Sequence, residues 1–89
     1  MRAIITVIGK DVVGIIARVT ANLSKNNVNI LDISQSVLQE FFAMVMLVDL
    51  DKCAIPFAEL QKQLEDEGHA MGMSVRVQHE AVFQAMHRI

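Results

Sequence analysis

The residues best placed to do chemistry in this 89-residue chain form one short run, Gly9-Lys10-Asp11-Val12-Val13-Gly14-Ile15-Ile16. The run joins a β-branched segment, Ala3 to Ile8, to a stretch of helical periodicity, so it reads as a strand-to-helix connection. At such a junction the first N–H groups of the helix lack intrahelical acceptors and converge at the positive end of the helix dipole, where a carboxylate is favoured. Gly14 has no side chain to block approach from outside or from a neighbouring strand. The same residues also fit a plain turn, with Asp11 as the N-cap accepting from the first-turn N–H groups and Gly14 present for close packing. The residues alone leave both readings open.

No second constellation has the pattern of a catalytic or metal centre. The three histidines, His69, His79 and His87, share no i, i+4 helical spacing. A zinc site of His79, Glu80 and His87 is therefore a weaker reading than solvated side chains. Cys53 is alone, so it makes neither a disulfide nor a thiolate metal site, and no activating base is indicated. Met44, Met46, Met71 and Met73 fall on strand-like segments, where they read as core or interface filling. The expectation is a protein that is not an enzyme and needs no cofactor or metal. Eight Lys+Arg against ten Asp+Glu give a net charge of -2, without the basic field that supplies most nucleic-acid affinity. The longest apolar run, Phe41 to Val48, is eight residues, against about 20 needed to span a bilayer. Lys10 and Asp11 cut any signal-peptide core short, and one cysteine suits a reducing interior, so the expected location is cytoplasmic.

The elements that must position the loop follow from hydrophobic spacing. Ala3 to Ile8 is expected to be a central strand. Ile15, Ile16, Val19 and Leu23 recur at helical intervals, with Arg18, Asn22 and Lys25 assigned to the other side, and Asn26-Asn27 closes the helix in the left-handed conformation that Asn tolerates. Val28 to Leu38 is extended but changes register, which a bulge near Ile30 would reconcile. Its polar second half, Ser34 to Ser36, suits a sheet edge. Gln39-Glu40 is a tight turn. Phe41 to Val48 alternates no polar set, so both its faces should be buried. A second helix starts at Pro56 and is capped by Gly68, with Phe57, Leu60 and Leu64 on one side. Met71 to Gln78 alternates as a half-exposed strand, and His79 to Ile89 is a short tail helix.

The order β-α-β-β-α-β plus a tail predicts an α+β, ferredoxin-like sandwich in a single domain over residues 1–89. Right-handed crossovers put both helices on one face of a four-stranded antiparallel sheet, with the first and third strands central. Relatives of this topology are disfavoured by absent parts. The central strands lack the base-stacking aromatics of RNA-recognition modules, and Gly9 to Gly14 lacks both the phosphate-holding arginine of acylphosphatases and the paired cysteines of copper chaperones. The chain is 53 % hydrophobic, high for a domain that hides only about 60–65 % of its unfolded surface. The sheet face opposite the helices therefore needs a cover, expected from the tail helix in part and from a second copy in a homodimer for the rest.

With Gly9, Asp11, Gly14, Ile15 and Ile16 followed by Val28-Asn29-Ile30 and Asp32-Ile33-Ser34, the chain resembles the ACT domain, a small-molecule regulatory module of amino-acid metabolic enzymes. Its ending, Arg76 to Glu80 and Phe83 to Ile89, further resembles a stand-alone bacterial and archaeal ACT family of uncharacterised function, similar to the ACT repeats of the glycine-cleavage-system repressor. The resemblance implies an amino-acid or related effector bound between two ACT units, at the signature loop of one and the second strand of its neighbour. Asp11 and Asn29 would grip the ligand's polar end, the N–H groups of Val12, Val13 and Gly14 would receive its carboxylate, and Ile15 and Ile30 complete the implied ligand set. The output would pass to an unknown partner protein. A ligand-free interaction module using the apolar sheet face and the tail is the alternative.

Overall fold

The computed structural model describes residues 1–10 and 12–86. The elements run β1 (Arg2–Gly9), α1 (Val12–Lys25), β2 (Asn29–Leu38), β3 (Phe41–Asp49), α2 (Phe57–Ala70), β4 (Ser74–His79) and α3 (Glu80–Met86). The strands form one antiparallel sheet in the order β2-β3-β1-β4, the ferredoxin-like arrangement with the two most apolar strands at its centre. Asp11, expected as the N-cap of α1, and His87 to Ile89, expected to end the tail helix, lie outside the described residues.

Alternation decides which side chains make the core. In the β1–β3 ladder Ala3, Ile5 and Val7 sit opposite Val48, Met46 and Met44, and all six are buried. With Val75 and Val77 of β4 they form the sheet's contribution to a cluster completed by Ile15, Val19 and Leu23 of α1 and Leu60 and Leu64 of α2. Each fully buried side chain of this size contributes about 1.5–3 kcal/mol, so the cluster holds the helices on this face.

The other face is less covered than its sequence suggests. Phe41 and Ile8 are 49 % and 47 % exposed, and Ala43, Val45 and Leu47 are half-buried. At the far end of the same face Ile4 is buried yet stands apart from the core cluster. There α3 packs against β1 and β4, fastened where the Arg2 guanidinium meets the Glu80 carboxylate at 2.6 Å. The tail helix thus covers one end of this face and leaves the other open.

Several local expectations hold. Asn27 closes α1 at φ 59°, Gln39-Glu40 forms the β2–β3 turn with Gln39 at φ 56°, and the β2–β3 register shifts between Ile30 and Asp32. Three differ. Asn22 is 5 % exposed, because its amide donates to Gln63 (3.0 Å) and Glu67 (3.3 Å) of α2. Gly68 does not cap α2, which continues to Ala70. A Cβ on Gly68 would stand 2.3 Å from Val75 Cγ2, so this glycine lets α2 lie close on β4, while the left-handed position is Gly72 at φ 73°. Met71 lies in the turn and Met73 before the strand, which begins at Ser74.

Candidate functional site

The two halves of the sequence signature lie at opposite ends of the molecule. β1 ends at Gly9, so Lys10 and the first turn of α1 occupy the end of the sheet where Gly9 pairs with Phe42. Asn29 opens β2 opposite Asp49, and Asp49 pairs with Arg2 at the other end of β1. Eight residues of strand separate the ends, a span of roughly 25 Å. One chain does not bring the loop and Asn29 together.

At the loop end, α1 starts at Val12, so the backbone N–H groups of Val12 and Val13 face out of the helix terminus. The Val13 side chain is 82 % exposed, which leaves this turn open to approach. The Ile15 side chain is fully buried in the core, so only its backbone can serve a ligand. Lys10 Nζ lies 3.7 Å from the Glu40 carboxylate and 5.5 Å from the centre of the Phe41 ring, tying the loop to the β2–β3 turn.

At the other end Asn29 is exposed and Ile30 half-buried. Asn29 lines a cavity of about 400 Å³ with Asn27, Val28, Asp49, Asp51 and Lys52. Asp49 Oδ1 accepts from the Asp51 N–H at 2.9 Å, and Asn27 Nδ2 donates to the Lys52 carbonyl at 3.1 Å. The α-amino group of Met1 pairs with Asp51. That contact raises the amine above its usual 8.0 and holds the Asp51 carboxyl below its usual 3.8. The lining thus holds Asp49 and Lys52 beside an Asp51 whose charge the Met1 amine already takes up, a cluster that escaped sequence reasoning, although Asp49-Leu50-Asp51 directly after an apolar strand was the available signal.

The remaining candidates do not assemble. The His79 ring stacks on Phe57 with centroids 3.8 Å apart, and among the described residues no three His, Cys, Asp or Glu side chains are grouped to hold a metal. Cys53 is half-buried and packs against the core. No helix among the described residues is long and apolar enough to cross a membrane.

The fold agrees with a direct comparison, in which the sequence profile of the ACT domain matches residues 2–78. The chain belongs to the ACT domain family. A UPF0237 protein of the archaeon Methanocaldococcus jannaschii is 49 % identical over 88 residues, covering 99 % of this chain and 98 % of the relative. Among solved structures, an ACT domain protein from Streptococcus pneumoniae superposes with a TM-score of 0.79 at 39 % identity, with 94 % of each chain covered. A protein assigned as a glycine cleavage system transcriptional repressor has a TM-score of 0.71 at 20 % identity, over 86 % of this chain and 44 % of that one. The last likeness is one of fold. The stand-alone ACT family expected from the sequence ending is thus found in both bacteria and archaea.

Proposed function

We propose that this ACT chain is a non-enzymatic, cytoplasmic regulatory module, a single domain over residues 1–89, that dimerises and binds an amino acid or related small metabolite between its two copies. The observation that carries this reading is the separation of the loop from Asn29 along a single sheet. A twofold axis beside β2 sets the β2 strands of two copies antiparallel, so that Asn29 of one copy stands at the end where the other carries its β1–α1 loop. The two halves also differ in polarity as a zwitterion requires. Outward N–H groups of Val12 and Val13 suit a carboxylate, and the Asp49 carboxylate beside Asn29 suits an ammonium. Asp11, Gly14, Ile15 and Ile30 complete the proposed set. Occupancy and interface geometry are then thermodynamically linked, the minimum basis for signalling to a separate protein.

A thermal-shift screen of the twenty amino acids tests it. A ligand at 100 times its Kd stabilises the dimer by about 2.7 kcal/mol, which raises the Tm of so small a domain by roughly 10–20 °C. Asn29→Ala should abolish the shift. If no amino acid moves the melting curve at millimolar concentration, the amino-acid reading fails. The exposed Ile8 and Phe41 favour a second reading, a ligand-free interaction module, which that failure would leave in place.

A further inference from the structure

The two edges of the sheet are built differently. In an antiparallel ladder, residues that exchange both backbone bonds with the neighbour alternate with residues whose N–H and C=O point away. On β4 Val77 belongs to the outward set, and both of its backbone groups are taken by α2. Gln61 Nε2 donates to the Val77 carbonyl at 2.7 Å, and the Val77 N–H donates to Glu65 Oε2 at 3.1 Å. Gln61 and Glu65 are four residues apart on one helical face, and together they give Val77 the donor and the acceptor that one residue of a fifth strand would give. They reach across a groove of about 350 Å³ between α2 and the β4 edge. Any strand adding there must displace them.

The β2 edge has no such closure. Leu38 and Phe41 flank the two-residue turn, so they form a bonded pair, and counting back by twos makes Val37, Gln35 and Ile33 the outward residues. Among the described residues, Ile33 N–H is accepted by its neighbour Asp32 alone, at 2.9 Å. Among the described residues no side chain of another element reaches Gln35 or Val37. Natural edges are blunted by charged side chains, proline, bulges or a covering element; β2 has its bulge and Asp32 in the first half, but from Ile33 to Leu38 it carries neither charge nor proline, and Ile33 and Val37 are 42 % and 68 % exposed.

We infer that Gln61 and Glu65 seal the β4 edge against strand addition, so that pairing between copies of this chain is confined to β2 and stops at two. The stop at two rests on the dimer proposed above; the seal does not. Sedimentation masses of four forms separate the claims. The parent chain is expected as two copies and Gln35→Pro, which blocks β2 without removing a β3 ladder bond, as one. Gln61→Ala with Glu65→Ala is expected to exceed two copies, and the triple variant to return to two, paired through β4. A monomeric parent overturns the dimer, while a rise from one copy to two in the double variant still supports the seal. Unchanged mass in both backgrounds, with parental circular dichroism and cooperative melting, overturns the seal. If the double variant does not fold, amide exchange in the parent decides. Val77 should exchange several-fold more slowly than Val75, another outward residue of β4, and equal rates would sink the inference.

Discussion

Asn22 and Asn26, 5 % and 4 % exposed, lie one turn apart on α1 and make a polar seam against α2. Asn26 Nδ2 donates to Asn22 Oδ1 at 3.0 Å, while Asn22 Nδ2 serves Gln63 and Glu67. Glu67 Oε2 is buried with no hydrogen-bond partner, so its carboxylate depends on Asn22. Asn22→Ala should therefore cost about 1–3 kcal/mol in denaturant unfolding, and clearly less in a Glu67→Met background, where no carboxylate is left stranded. Equal costs in both would show the two side chains to be uncoupled. Periodicity assigned Asn22 outward by its chemical type, since nothing in one helix's spacing says that a second helix will offer it partners. A different electrostatic contact sits on the surface, where the Met1 amine and Asp51 pair. The amine is raised, so its small contribution is present below 8.0 and fades as pH rises through the folded value; the carboxyl is lowered, so its contribution is present above 3.8 and fades as pH falls. Asp51→Asn should return the amine toward 8.0 in an NMR titration.

At the scale of elements, the glycines of the α2–β4 connection separate what spacing reveals from what packing decides. Gly68 and Gly72 both stand near the end of an apolar periodic stretch, and a cap signal cannot tell them apart. The structure gives them opposite reasons. A methyl at Gly68 meets Val75 at 2.3 and 2.8 Å, whereas at Gly72 it meets nothing within 4 Å but the backbone is left-handed. Gly68→Ala should cost about 1–3 kcal/mol through overpacking, and Gly72→Ala about 1 kcal/mol through backbone conformation alone. Gly72→Asn, which tolerates positive φ, should recover part of the latter and Gly68→Asn none of the former, as chemical denaturation would show. The strands were legible because central strands carry unbroken apolar runs and the edge carries Ser34 to Ser36. The bulge was legible because Val28 and Ile30 fall out of phase with Leu31 and Ile33. The overreach at Met71 came from alternation continuing through a turn.

For the whole molecule, the 53 % hydrophobic content pointed to a second copy without saying where it sits. The signature residues were legible as a motif, and their placement at opposite ends of the sheet follows from the expected topology, because the β1-α1-β2 crossover makes β1 and β2 parallel and sets the start of β2 away from the loop. Two surfaces compete for the second copy proposed above. The sheet face opposite the helices, expected from composition to be covered by the second copy, is already closed by α3 around Ile4, and its open end carries Ile8 and Phe41 beside the charged Lys10–Glu40 pair. The β2 edge adds backbone hydrogen bonds to its exposed aliphatics, and an edge contact of this kind is the one that would set Asn29 across from the signature loop. Phe41→Ser should therefore leave the sedimentation mass and the amino-acid thermal shift at parental values, while Gln35→Pro should lower the mass and abolish the shift together. The reverse pattern, dissociation by Phe41→Ser with Gln35→Pro still paired, would put the partner on the sheet face and leave each ligand half-site incomplete.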